Sequence, residues 1–170
     1  MGREIISIEN VYENNLGMLV KLANTEIENL TYPESFFEEL FPKGKDAKKD
    51  TYFAQLAYYS EIVVGGIKTK LVPKKKGDSC PKGLQIELLV VLKQYRNKSI
   101  GTKLVKYAEE QCKKHHQHNL YVFVPESDDG IIQWYEKYGF KAEEATFKDY
   151  FKDKNPTASA DAVLLKKHIE

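Results

Sequence analysis

No apolar run in the 170-residue chain approaches the roughly 18 residues needed to cross a bilayer. No secretory h-region opens it. The start MGREIIS comes near a myristoylation signal, but Ile6 stands where Ser or Thr is required. Cysteine is scarce: Cys80 and Cys112 lie far apart without framework spacing, so reduced intracellular thiols are expected rather than a disulfide scaffold. Charge of one sign is lacking too. With 26 Lys and Arg against 25 Asp and Glu, the net charge of +1 gives no general attraction to nucleic acid or membrane. These absences make the cytosol the expected compartment. Lysines cluster only locally, at 43–49 and 74–82, and read as solvated loops. His115, His116 and His118 beside Cys112 have no second ligand cluster to complete a tetrahedral zinc site, so no metal is expected.

What is present is an α/β pattern of one-domain length, with 42% apolar and 30% charged residues, no internal repeat and no visible boundary inside 1–170. Residues 5–8 suggest a short strand, and Leu16, Leu19, Val20, Ala23 and Ile27 recur at helical spacing, predicting a helix over about 12–27. A shorter helix begins at Tyr32-Pro33-Glu34-Ser35. TYFAQLAYYS (51–60) and IVVGGIKTKLV (62–72) form a hairpin through Ser60-Glu61. LQIELLVVL (84–92) is the nearly continuous apolar run of a strand covered on both faces. Ile100, Leu104, Val105, Ala108 and Cys112 make the stripe of a helix reaching about His115. NLYVFV (119–124) is a second buried strand, and a helix follows from Asp128 to Tyr138, capped by Ser127 or Asp128 and stopped by Gly139. Two final strands flank a polar loop at 152–158.

Between the two buried strands stands YRNKSIGTKL (95–104), a basic small-residue turn that opens a helix. Helix N-termini leave amides unpaired and favour negative charge, so such a turn can hold a phosphate. The P-loop reading fails, because no Gly-Lys-Ser/Thr follows a glycine at the right spacing.

A buried strand, R-x-x-S-I-G opening a helix, a second buried strand and a helix ending WYEKYGF together resemble the GCN5-related N-acetyltransferase (GNAT) superfamily. MGREI…NVYENNLGML, AYYSEIVVGG, QYRNKSIGTKLVKYAE, WYEKYGF and DAVLLKKHI further resemble the NatE subunits of N-terminal acetyltransferases in their fungal form. The resemblance implies a GNAT fold, with a mixed, mostly antiparallel sheet splayed at the fourth strand and flanked by helices. It implies acetyl-CoA in a V-shaped gap between Leu89–Leu92 and Tyr121–Val124. It implies acetylation of nascent-peptide α-amines and association with the NatA complex, its large scaffold subunit and its catalytic subunit, at the ribosome.

Carried over by position, the family's cofactor contacts fall on Leu89, Val90, Val91, Arg96, Asn97, Lys98, Ser99, Ile100, Gly101, Thr102, Asp128 and Tyr135. Backbone amides at 89–91 would serve the developing oxyanion, and Tyr135 would protonate the leaving thiolate. Substrate contacts fall on Tyr32, Gln85, Glu87, Phe123 and Tyr150. The chain departs from the family at several of these positions. The Tyr and His that manage the amine proton in active animal members are Gln85 and Phe123, neither able to take a proton at neutral pH. An apolar Phe-Pro pair is Glu28-Asn29, the second tyrosine of the last hairpin is Phe151, and the first motif glycine is Ser99, which either crowds a phosphate oxygen or donates to it. Glu87, two residues past Gln85 and on the same strand face, is the candidate base or a plain substrate contact. Two readings follow: a weak or silent acetyltransferase subunit riding on NatA, or an active enzyme on Met-starting peptides with Glu87 or solvent as base.

Overall fold

The computed structural model describes residues 5–26, 32–42, 51–73, 82–148, 150 and 161–170. Glu28, Asn29, Cys80, Phe151, the loop at 152–158 and nearly all of the two lysine clusters lie outside that set. The elements are β1 (Ile6–Asn10), α1 (Leu16–Glu26), α2 (Glu34–Glu38), β2 (Tyr52–Tyr59), β3 (Ile62–Val72) and β4 (Gly83–Val91). A 3-10 turn (Lys93–Lys98) then leads to α3 (Ile100–Lys114), β5 (Asn119–Pro125), α4 (Asp129–Lys137), β6 (Lys141–Phe147) and β7 (Ala162–His168). One seven-stranded sheet runs β1-β2-β3-β4-β5-β7-β6, and only β4–β5 is parallel.

α1 begins later than its apolar periodicity predicts. Asn15 Oδ1 accepts the Tyr12 backbone N–H at 2.6 Å, and Asn15 Nδ2 donates to the Asn10 carbonyl at 3.2 Å. Such local asparagine bonds offer the backbone an alternative to helix. Once started, α1 lays Leu19, Leu22 and Ala23 on Leu56, Leu88 and Val90, with Phe36 and Phe37 of α2 beside them. A Cβ at Gly66 would sit 2.5 Å from Leu19 Cδ1, so glycine there lets the helix approach the sheet. On the opposite face the stripe of α3 is buried as its spacing predicts. It packs on Leu84, Ile86, Leu120, Val122 and Leu165.

Strand β4 serves both layers because its alternation breaks. Ile86 pairs with Thr69 and Leu88 with Lys68, which leaves Glu87 as the extra residue of a bulge. Leu84 and Ile86 therefore face α3, whereas Leu88 and Val90 face α1 and α2. The parallel pairing with β5 covers only Leu84↔Leu120 to Ile86↔Val122. Beyond it β4 continues along β3 and β5 along β7, so the sheet forks at the bulge. Tyr121 and Val122, expected on the wall of the gap, lie in its closed end; the bulge bends β4 away only after Ile86.

Candidate active site

One wall of the fork is bare backbone. Leu92 N–H donates to the Val64 carbonyl at 2.7 Å, so alternation along the strand turns the amides of Leu89 and Val91 the other way, into the fork. Arg96 Nε donates to the Val91 carbonyl at 3.0 Å on that same outward edge. The 3-10 turn delivers the chain to Ser99 at φ 61°, ψ 22°, a left-handed conformation. Ser99 precedes α3 without a side-chain capping bond. The first intrahelical bond is Lys103 N–H to the Ser99 carbonyl at 3.1 Å, so the amides of Ile100, Gly101 and Thr102 have no helical partner. With the helix dipole behind them, these donors fit a pyrophosphate.

The side chains around this cradle are mostly engaged elsewhere. Arg96 Nη2 pairs with Glu26 Oε2 at 3.1 Å, tying the turn to α1. Lys98 Nζ stands 5.2 Å from the centroid of the Tyr59 ring. Thr102 Oγ1 donates to the Tyr138 hydroxyl at 2.6 Å. Gly101 meets α4, since a Cβ there would lie 2.9 Å from Trp134 Cζ2. Ile100 is core, and Asp128 caps α4 by accepting Ile131 N–H at 3.1 Å. Of the positions expected to contact the cofactor, the fold thus offers mainly peptide groups.

The other wall carries aromatic side chains. Tyr150 accepts a hydrogen bond from Gln85 Nε2 at 3.2 Å and stacks on Phe123, with ring centroids 4.3 Å apart at 22°. One tyrosine thus bridges Gln85 and Phe123, the two positions at which the resemblance leads one to expect proton carriers. Tyr32 packs on Phe36 at 4.7 Å. Burial pushes the Tyr32 phenol well above its ordinary value, and the neighbouring Tyr150 and Glu87 add to the effect. Tyr135 is 4% exposed and packs edge-on against Trp134, and its phenol too is raised, first by burial and then by Tyr32. It therefore keeps its proton at neutral pH. Tyr32 is an electrostatic neighbour of Tyr150, Glu87 and Tyr135, which gathers the four groups on one side of the sheet beside the fork.

Sequence reasoning missed a second group beside Glu87. Lys68 is fully buried, with Nζ 2.5 Å from both Glu87 Oε1 and Glu39 Oε1. The ammonium lies 3.9 Å from the Phe36 ring centroid and 4.8 Å from that of Tyr52. The Tyr52 hydroxyl donates to Glu39 Oε2 at 3.1 Å, and burial with the adjacent carboxylate pushes its pKa up to about 12. The available signal was a lysine between Ile67 and Thr69, inside the longest β-branched strand of the chain, which needs an acid partner if that strand is central. As for the histidines, His115 packs on Phe53 and the His118 ring bonds the Ile169 carbonyl. Among the described residues no three His, Cys, Asp or Glu gather as a metal site.

Comparison with known proteins agrees with this geometry. Residues 21–140 match the acetyltransferase (GNAT) family. The chain is 31% identical over 165 residues to N-alpha-acetyltransferase 50 of Danio rerio, covering 96% of this chain and 89% of that protein. It is 28% identical over 167 residues to an N-acetyltransferase of Schizosaccharomyces pombe, covering 97% and 100%. Among solved structures, Arabidopsis thaliana Naa50 in complex with the bisubstrate analogue CoA-Ac-MVNAL superposes with a TM-score of 0.73 at 26% identity, covering 95% of this chain and 97% of that one. A forked sheet, an amide-lined wall and a family match across most of its length lead to one assignment: the chain belongs to the GNAT acetyltransferase family.

Proposed function

We propose that residues 1–170 form a single NatE-type N-terminal acetyltransferase domain that binds acetyl-CoA but transfers acetyl groups slowly or not at all. The observation that carries this reading is that an amide and a phenyl ring, Gln85 and Phe123, stand at the two positions where the resemblance expects proton carriers, both engaged by Tyr150. When bound, acetyl-CoA supplies the thioester acyl group. The first-turn amides of α3 would hold the pyrophosphate, the Leu89 and Val91 amides would face the acyl oxygen, and Tyr135, protonated at neutral pH, would hold a proton for the sulfur. Without an efficient acceptor for the amine proton, attack waits on the fraction of α-amine already neutral, whose reference pKa is about 7.7–8.

The resemblance extends the reading to an assembly. The domain rides on a NatA complex, against its large scaffold and catalytic subunits near the ribosome in the cytoplasm, and meets nascent chains beginning with Met. The Arabidopsis relative's MVNAL analogue supports that choice of N-terminus. Calorimetry with acetyl-CoA, turnover on Met-starting peptides and co-purification with NatA test it. Measurable cofactor binding, turnover near the uncatalysed rate and stable co-purification are expected. Turnover at ordinary enzyme rates would overturn the silent reading.

That outcome would favour the second reading, an active enzyme with Glu87 or solvent as base. Its support is the Glu87 side chain, 15% exposed at the fork, with the Tyr135 donor in place. Loss of that turnover in Glu87→Gln would then assign the base.

A further inference from the structure

The buried lysine beneath the fork has no part in the cofactor cradle, yet it touches the one residue that the bulge extrudes there. A lysine with no solvent exposure is rare unless its charge is paired, and this one is paired twice. The two rings over Nζ leave it no other outlet. We propose that Lys68 is a positioning residue that holds Glu87 in an ion pair and so keeps that carboxylate out of proton transfer. The inference rests on the slow-transfer reading and names the contact that enforces it.

The physical argument concerns what a proton on Glu87 would displace. Taking it up would turn the 2.5 Å ion pair with a fully buried ammonium into a contact with a neutral carboxyl and leave Glu39 as the charged partner, and weakening the pairing of a buried charge is unfavourable. The contact is specified by the fold. Lys68 stands opposite Leu88 in the β3–β4 register, directly beside the bulge, and α2 brings Glu39 to its other side. Remove the ammonium and the arrangement inverts. Glu39 and Glu87, which met at one Nζ, are left facing each other, and like charges at close range raise the affinity of such a pair for a proton. Glu87 can then take the proton of the substrate ammonium. The amine lone pair forms the C–N bond as the C–S bond breaks, and Tyr135 gives its proton to the departing sulfur.

The test uses the full chain as wild type, Lys68→Met, and Lys68→Met with Glu87→Gln. Acetyl-CoA binding is measured by calorimetry, and initial rates on a Met-starting peptide are taken across the neutral pH range. Lys68→Met is expected to raise kcat by about tenfold or more, to leave the KM for acetyl-CoA unchanged, and to move the rise of rate with pH below the one that the ionisation of the α-amine sets in wild type. Adding Glu87→Gln should abolish the gain. A folded Lys68→Met that is as slow as wild type at every pH overturns the proposal, as does a gain that survives Glu87→Gln. Should Lys68→Met not fold, Lys68→Met with Glu39→Leu removes a charge pair together and reads only the release of Glu87 from the ammonium, without the push from Glu39. A smaller gain that Glu87→Gln still abolishes is then expected, and no gain overturns the proposal; failure of both to fold would make Lys68 structural only and end the proposal. A fast wild type defeats the slow-transfer reading, whereas a slow wild type with equally slow variants defeats the role of Lys68 alone.

Discussion

At the residue scale, two cases show how one atom group decides between tolerance and strain. Ser99 occupies the left-handed region, which disfavours any residue with a Cβ, and its hydroxyl makes no cap bond to offset that. Ser99→Gly should therefore stabilise the fold by about 0.5–1 kcal/mol after the extra chain entropy of glycine is counted. A higher urea midpoint at unchanged slope would show it; a lower midpoint would mean that the hydroxyl holds something the backbone needs. Gln85 and Phe123 are the other case. Replacing them together by Tyr and His restores a proton path on paper, but it also removes the amide and the ring on which Tyr150 rests. The expected outcome is a rise in turnover on Met-starting peptides of roughly 10²-fold, the lower end for a positioned acid–base group. Unchanged turnover with intact acetyl-CoA binding would place the defect in the peptide pocket.

At the scale of elements, α3 and α4 meet through one glycine. Trp134 lies over Gly101, and the bond from Thr102 to Tyr138 closes the same contact a turn away. Gly101→Ala would place a methyl 2.9 Å from the indole and force the helices apart, destabilising by about 1–3 kcal/mol. Gly101→Ala combined with Trp134→Leu should recover part of that loss in denaturant titrations; simple additivity of the two losses would mean that they do not share a contact. How the elements were read from sequence follows the same division between local and long-range causes. The α3 stripe and the β2–β3 hairpin were legible because periodicity and a two-residue link are local signals. The bulge at Glu87 was not, since it is defined only by the register of Lys68 and Thr69 across the ladder. Nor was the insertion of β7 between β5 and β6, which chain order does not encode. Within the site, Gln85 and Phe123 were placed by comparison with a family, whereas the bridge between them comes from Tyr150, 65 residues beyond Gln85. Lys68 was missed because a hairpin pattern does not say which of its faces will be covered.

For the whole molecule, the way the two layers close over the sheet sets its response to alkali. Cys112 on the inner face of α3 is completely buried, and burial followed by the nearby Glu109 carboxylate lifts its thiol from 9.0 to about 12. Tyr32, Tyr52 and Tyr135 are raised in the same direction, each chiefly by burial. All four groups keep their protons longer in the folded chain than in the unfolded one. Their contribution to stability is therefore fully present at neutral pH and begins to fall where the unfolded groups ionise, near 9.0 for the thiol and 10.0 for the phenols. The fall continues until pH passes the folded values, about 12 for Cys112 and Tyr52. Each buried group can add up to about 1.4 kcal/mol per pH unit to the slope, so the decline steepens as the tyrosines join the cysteine. Urea titrations at about pH 8, 9.5 and 10.5, bracketing those ordinary values, should show a midpoint that drops with each step. Cys112→Ala will be less stable at every pH because it leaves a cavity, so the informative quantity is its slope, which should be shallower than wild type through the first interval. A midpoint that does not move between the first and last conditions would mean that these groups reach water in the folded state, contrary to the closed layers on either side of the sheet.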